Sequence, residues 1–274
     1  MTLSVTSRQN PLVKQIRQLH SPKGRREQEQ FLLEGTHLVE VASNVNYPLE
    51  IVCATAKWLS AHPQLWQRLE AQAVRMVEVS EVVIEAIATT VNPDGVVAVA
   101  PRGTMTPPPI PTSGMVLAVE TIQNPGNLGT IIRTAVAAGA CGLWVSADST
   151  DLDHPKVLRA SAGEWFRLPM GVCEDLTAQV QLCRSQGVQV IATAATAKMT
   201  HWEIDYRQPT VILLGNEGAG LSAELGAIAH QQVRIPLSPG VESLNVSIAA
   251  AVILYEALRQ TRFVVGANGH SPLL

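Results

Sequence analysis

Aromatic side chains are scarce in this chain of 274 residues, at 4% of the total. That argues against an RNA-binding sheet that stacks bases on exposed rings. Cysteine is sparse too. Cys53, Cys141, Cys173 and Cys183 lie far apart with no C-x-x-C, and three of them sit in apolar stretches. Disulfide scaffolding and zinc binding are therefore not expected. The seven histidines form no H-x-x-x-H pair, so no metal is expected. The N-terminus lacks an apolar signal region, and no apolar run could span a bilayer, so the default is a cytoplasmic protein with no membrane partner. A strong net charge is absent, since the balance is −3. The chain as a whole does not advertise nucleic-acid binding. Three enzyme signatures are missing as well. Gly126-Asn127-Leu128-Gly129 lacks the dinucleotide spacing, no Walker lysine follows a glycine loop, and there is no G-x-S-x-G elbow.

What remains is a globular composition, 46% hydrophobic and 16% charged, long enough for two domains. Charge is uneven. Arg8, Lys14, Arg17, Lys23, Arg25 and Arg26 fall before residue 27 with no acidic residue among them. Such a run is either a solvated face or a phosphate-binding arm. Residues 101–114 contain five prolines and almost no apolar periodicity, and read as a stiff extended linker. It divides a first domain, residues 1–100, from a second, residues 115–274.

Both halves alternate strands and helices, which predicts an α/β fold. In the first, helices are expected at 10–19, 37–42 (capped by Thr36), 63–73 and 82–88, and strands at 31–35, 49–54, 74–79 and 96–100. In the second, strands are expected at 115–120, 142–145, 188–193, 210–214 and 233–235. Helices are expected at 127–138, 176–186, 223–229 and 244–259. Val211-Ile212-Leu213-Leu214 is apolar on both faces, as a central parallel strand requires.

Three segments share one build, a hydrophobic strand, a Gly/Asn/Ser loop and then a helix. They begin at Asn124-Pro125-Gly126-Asn127-Leu128-Gly129, at Leu214-Gly215-Asn216-Glu217-Gly218 and at Ile235-Pro236-Leu237-Ser238-Pro239-Gly240. In an α/β sheet such loops gather at one edge, where ligands bind. Asn127 is either a helix cap or a site residue. Arg133 follows in an otherwise apolar helix, as a solvated cation or as a fork for phosphate or a developing oxyanion. Glu217 is either a first-turn acid favoured by the helix dipole or an acceptor for a hydroxyl, an amine or Arg133. Ser243 and Asn245 are both good caps for the last helix, yet the Pro/Gly approach to them is longer than a cap needs.

Together and in this order, the three segments resemble the signature motifs of the SpoU/TrmH family of RNA ribose 2′-O-methyltransferases. Arg8 to Lys14, Phe31-Leu32-Leu33-Glu34-Gly35 and Asn92 to Val99 resemble the substrate-binding domain that precedes the catalytic one in many members. Lys156 to Gly163 resembles a family segment that faces substrate. Two departures are modest. Asn124 stands where members often have Asp, and Asn92-Pro93-Asp94-Gly95 stands for Thr-Pro-Gln-Gly. The second bears on substrate identity, not on chemistry.

The resemblance implies a C-terminal parallel-sheet α/β trefoil-knot (SPOUT) domain preceded by a small L30e-like α/β domain that binds RNA. It implies S-adenosylmethionine as cofactor and a homodimer with sites near the subunit interface. Asn127, Arg133, Glu217, Ser243 and Asn245 would be catalytic. Leu213, Leu214, Gly215, Asn216, Gly218, Ile235, Leu237, Ser243 and Leu244 would hold the cofactor. Lys14, Arg17, Arg25, Arg26 and Arg159 would contact RNA. The implied substrate is structured RNA, ribosomal RNA ahead of tRNA, and the competing reading is a non-catalytic RNA-binding or ribosome-assembly factor of the same fold.

Overall fold

The computed structural model describes residues 4–103 and 105–262. The chain divides into two compact units, Met1–Thr104 with Asp151–Phe166, and Met105–Thr150 with Arg167–Leu274.

The first unit carries α1 (Pro11–Gln18), α2 (Pro22–Gln28), β1 (Gln30–Glu34), α3 (Thr36–Asn44), β2 (Leu49–Thr55) and α4 (Ala56–Ala61). It continues with α5 (Pro63–Gln72), β3 (Ala73–Val79), α6 (Glu81–Ile87) and β4 (Val96–Pro101). The sheet order is β1-β4-β2-β3, with β2 and β3 parallel and the other pairs antiparallel. Ile51, Cys53, Val97 and Val99 pack with Leu12, Val13 and Ile16 of α1 and Val83, Ile84 and Ile87 of α6. The alternate residues Val52, Ala54, Val96 and Ala98 are equally buried, so the sheet is covered on both faces. Burial pushes the Cys53 thiol up to about 12, which leaves it an inert apolar filler. Thr36 does not cap α3 as expected. Gly35, with φ of 97°, takes the cap position, and the Thr36 hydroxyl donates to Asp94 Oδ2 at 2.8 Å.

The second unit carries β5 (Met115–Val119), α7 (Pro125–Ala137) and β6 (Gly142–Ser146). The chain then supplies α8 (Pro155–Ala160) to the first unit and returns. There follow β7 (Met170–Cys173), α9 (Leu176–Ser185), β8 (Gln189–Thr193), β9 (Met199–Thr200), β10 (Thr210–Leu214), α10 (Ala223–Ile228), β11 (Gln231–Arg234) and α11 (Val246–Arg262). The seven strands are ordered β7-β6-β5-β10-β8-β11-β9, and all are parallel. Val116, Ala118, Trp144, Val211 and Leu213 pack with Val180 and Cys183 of α9 and Leu225 of α10. Leu117, Val119 and Ile212, on the other face, are also fully enclosed, as are Ile131 and Ile132 of α7 and Ile253 and Leu254 of α11. Of the proline-rich stretch, residues 105–111 are extended and pack on this unit. Trp144 Nε1 donates to the Pro108 carbonyl at 2.8 Å, and a Cβ on Gly171 would sit 2.2 Å from Pro107 N.

Most strands and long helices fall within a residue or two of the periodicity reading. The exceptions are short: α2, α4, α8, β7 and β9 are too brief to show a period. α7 begins at Pro125 and α11 at Val246, each two residues away from expectation.

One basic residue has a role the sequence reading did not assign. Arg25, expected to meet RNA, is fully buried. Its Nη2 donates to Asp151 at 2.6 Å and its Nε to Asp153 at 3.0 Å, and Nη1 reaches the Leu19 carbonyl at 3.3 Å. Arg102 closes the cluster on the other Asp153 oxygen. No phosphate can reach such a group, so Arg25 is a structural cation. It helps hold Asp151–Phe166 in the first unit, as does the ring of Trp165, whose centroid is 5.3 Å from that of Phe31. Replacing Arg25 with Leu leaves the buried Asp153 carboxylate with Arg102 as its remaining ion-pair partner, which should cost about 2–3 kcal/mol. A urea titration reads this as a lowered midpoint; a loss under about 1 kcal/mol would mean the cluster behaves like a surface pair.

Candidate active site

Parallel strands end in register, so the loops after β5, β10 and β11 emerge on the same edge of the second sheet. β5 and β10 are direct neighbours, with Leu214 opposite Val119. The chain runs from β5 outward to β6 and β7, while β8 and β11 lie on the far side of β10. This reversal is where an open α/β sheet leaves a crevice.

The loop after β5 ends in a helix start. Asn124, not Asn127, is the cap: its Oδ1 accepts from Gly126 N at 2.8 Å, and Pro125 occupies the first helical position. Asn127 is thereby free for other work. Its Nδ2 donates to Glu217 Oε1 at 2.7 Å, and its Oδ1 accepts from Asn245 Nδ2 at 3.0 Å. Asn245 caps α11, its Oδ1 accepting from Ser247 N at 2.9 Å and from Ser247 Oγ at 2.6 Å. The direction of this chain is not a free choice. A backbone N–H can only donate, so the Asn245 atom facing it is oxygen. Its amide nitrogen then faces Asn127 oxygen, and the Asn127 nitrogen faces Glu217. One residue from each of the three loops is joined, and Glu217 Oε2 is left available.

The loop after β10 is folded tightly. Asn216 and Gly220 exchange two backbone hydrogen bonds of 3.0 Å, and Asn216 Oδ1 accepts from Gly218 N and Ala219 N. The return brings Gly220 against Gly215, where a Cβ would lie 2.1 Å from the Gly220 carbonyl carbon. Gly220 takes the left-handed φ of 72° that closes the turn. Two residues at the end of β5 hold it in place. Glu120 Oε2 accepts from Ser222 N at 2.7 Å, and the Thr121 carbonyl accepts from Asn216 Nδ2 at 2.9 Å.

Between this turn and the loop after β11 lies a cleft of about 970 Å³. Of the expected cofactor residues, Leu214, Gly215, Asn216, Gly218, Ile235, Leu237, Ser243 and Leu244 line it. Leu213 does not: it is fully buried, and its carbonyl accepts from Thr193 Oγ1 at 3.0 Å. The volume lies in the range of small-molecule sites. Apolar walls from Leu214, Ile235, Leu237 and Val246 beside a glycine-rich backbone suit a ligand with a flat heterocycle and a polar tail. Glu217 and Ser243 are on its rim and exposed.

Arg133 is not part of this cluster. It is exposed on α7, and among the described residues it has no hydrogen-bond or ion-pair partner. Lys14, Arg17 and Arg26 are also exposed, Arg26 reaching Asp151 at 3.4 Å. Arg159 donates to Glu34 at 2.9 Å and to Thr89 Oγ1 at 2.8 Å, within the first unit. Glu120 and Thr121 escaped the sequence reading, although an acid directly after a fully apolar strand was the available signal. Among the described residues, no group of His, Cys, Asp or Glu is arranged to hold a metal, and no helix is long and apolar enough to cross a membrane.

Comparison with known proteins bears on both halves of the chain. Residues 114–255 match the SpoU rRNA Methylase family, and residues 10–98 match the MRM3-like substrate binding domain. An uncharacterized tRNA/rRNA methyltransferase of Synechocystis sp. is 49% identical over 94% of both chains. The 23S rRNA (guanosine(2553)-2′-O)-methyltransferase RlmP of Bacillus subtilis is 32% identical over 92% of this chain and 97% of its own. Among solved structures, the AdoMet-bound rRNA methyltransferase from Sinorhizobium meliloti superposes with a TM-score of 0.83 at 34% identity, covering 94% of this chain and 97% of that one.

Gly215→Ala tests the tight turn directly. The added methyl collides with backbone, which cannot rotate away, so ligand uptake by the cleft should fall at least roughly tenfold while the first unit keeps its stability. Calorimetric titration with S-adenosylmethionine would show it, and unchanged affinity would mean that the turn does not shape the cleft.

Proposed function

The chain belongs to the SpoU rRNA methylase family, and from that membership we propose that it methylates a ribose 2′-hydroxyl of ribosomal RNA. It is an S-adenosylmethionine-dependent RNA 2′-O-methyltransferase. The observation that carries the reading is the hydrogen-bonded run Asn245–Asn127–Glu217, which ends with Glu217 on the rim of the cleft. A non-catalytic assembly factor has no use for three loops joined at that point.

S-adenosylmethionine, when bound, supplies an electrophilic methyl group and its own leaving group. The protein's work is then to position and to polarise. Backbone and apolar groups of the loops after β10 and β11, including Gly215, Asn216, Gly218, Ile235, Leu237, Ser243 and Leu244, hold the cofactor. The backbone at Leu213 and Leu214 supports them from the strand end. Asn127 fixes the Glu217 carboxylate with one oxygen outward, ready to accept a hydrogen bond from ribose or from an amine. Arg133 supplies a planar, permanently charged fork. It orients the target nucleotide and stabilises negative charge building on the 2′-oxygen.

Arg133 and the cluster around Asn127 are brought to bear on one ribose by self-association. Support comes from α11, whose Ile248 and Tyr255 are 49% and 52% exposed, Ile248 in its first turn and Tyr255 farther along. A homodimer through α7 and α11 covers them. We include in the same reading the trefoil knot that the family implies, made where the loop after β11 passes the turn after β10. The first unit, L30e-like in that reading, holds the RNA. Lys14, Arg17 and Arg26 contact phosphate, with Arg159 presented from α8, and the protein works in the cytoplasm where ribosomes are made.

Methyl transfer from labelled S-adenosylmethionine to ribosomal RNA of a strain lacking the gene tests this. Wild type should introduce an alkali-resistant linkage. Arg133→Ala should lose about a hundredfold or more in turnover, and Arg133→Lys should recover little, because an ammonium lacks the fork. No label with wild type would sink the reading; near-normal turnover in Arg133→Lys would sink the role given to the fork.

A further inference from the structure

Among the described residues, Thr121 is the one β-branched residue in the left-handed backbone region, with φ of 55°. The branch at Cβ crowds the backbone there, so the conformation persists only where surrounding groups enforce it. Three hydrogen bonds do so. Thr121 N donates to Ser146 Oγ at 2.8 Å, its Oγ1 donates to Asp148 Oδ2 at 2.6 Å, and its carbonyl accepts from Asn216 Nδ2 at 2.9 Å. Asp148 is itself tied down. Its Oδ1 accepts from Ser146 Oγ at 2.5 Å, and its carbonyl accepts from Gln123 Nε2 at 2.7 Å. The hydroxyls of Ser146 and then Thr121 hold its carboxyl below the ordinary carboxylate range, so it stays an acceptor.

The consequence is felt one strand away. Asn216 Oδ1 is occupied by Gly218 N and Ala219 N, which leaves its amide nitrogen in need of an acceptor. The Thr121 carbonyl is that acceptor only while Thr121 stays left-handed; an extended Thr121 would turn it away. We propose that Thr121 and Asp148 are positioning residues that fix the Asn216–Ala219 turn and thereby set the affinity for S-adenosylmethionine. Neither side chain lines the cleft. Both act through Asn216. The inference rests on the methyltransferase reading above and extends it to residues outside the three motifs.

The test is calorimetric titration of the full chain with S-adenosylmethionine. Thr121→Val, which keeps the shape and loses the hydroxyl, and Asp148→Ala should each bind roughly tenfold more weakly. Thr121→Ser, which keeps the donor, should bind close to wild type, and Asp148→Asn, which keeps one of the two acceptor oxygens, should recover much of what Asp148→Ala loses. Wild-type affinity in both Thr121→Val and Asp148→Ala would overturn the proposal. So would a loss that Ser and Asn fail to restore, since that would be a packing effect. Should the damaging variants not fold, hydrogen exchange on wild type decides: Gly218 and Ala219 amides should be protected, and free exchange would refute the pinned turn. A wild type that takes up no S-adenosylmethionine would instead bring down the methyltransferase reading beneath it, whereas active wild type with indifferent variants would bring down the inference alone.

Discussion

The polarity of the whole site hangs on one backbone N–H, that of Ser247 in the first turn of α11. Because it can only donate, the Asn245 amide has a single orientation, and each partner in turn inherits its own. The last acceptor is the Glu217 carboxylate. Three loops separated by about half the chain are thus set relative to one another by side-chain amides whose alternatives are all unpaired. An amide network of this kind is costly when half satisfied, which keeps the loops from adopting independent conformations.

The parallel sheet makes this possible. With all seven strands running one way, every strand-to-helix loop is delivered to one edge. The cost falls on the backbone at that edge. Gly215 must lack a side chain, Gly220 must turn left-handed, and Thr121 is held in a conformation its branched side chain disfavours. Such distortions collect where a loop must serve a ligand before it serves its own stability. By contrast the first unit spends its polar interactions on cohesion. Arg25 and Asp153 are internal with the half-buried Arg102 beside them, and Glu34 is occupied with Arg159 and Thr89.

Much of this was legible in the order of residues. The runs of Val, Ile and Leu at β5, β8 and β10 carry the strand signal, and the loops after them carry the glycine and asparagine that a crevice needs. Asn127, Glu217 and Asn245 could be singled out because each stands where a strand hands over to a helix. Their mutual bonding could not, since it depends on which loops share a sheet edge. Local rules left Asn127 open between a cap and a site residue; Asn124, with Pro125 after it, takes the cap. The basic run before residue 27 hid a structural residue, because the partners of Arg25 lie 126 and 128 positions away. Arg133 was legible as an unusual cation in an apolar helix, and it stands exposed and unpaired among the described residues.

The central claim is that Asn127 and Asn245 work in series, one orienting the other. A double-mutant cycle on methyl transfer, with Asn127→Ala, Asn245→Ala and the pair, tests it most directly. In series, the pair should be little slower than the worse single variant. If the two losses in turnover multiply, the residues act independently and the chain of amides does not organise the site.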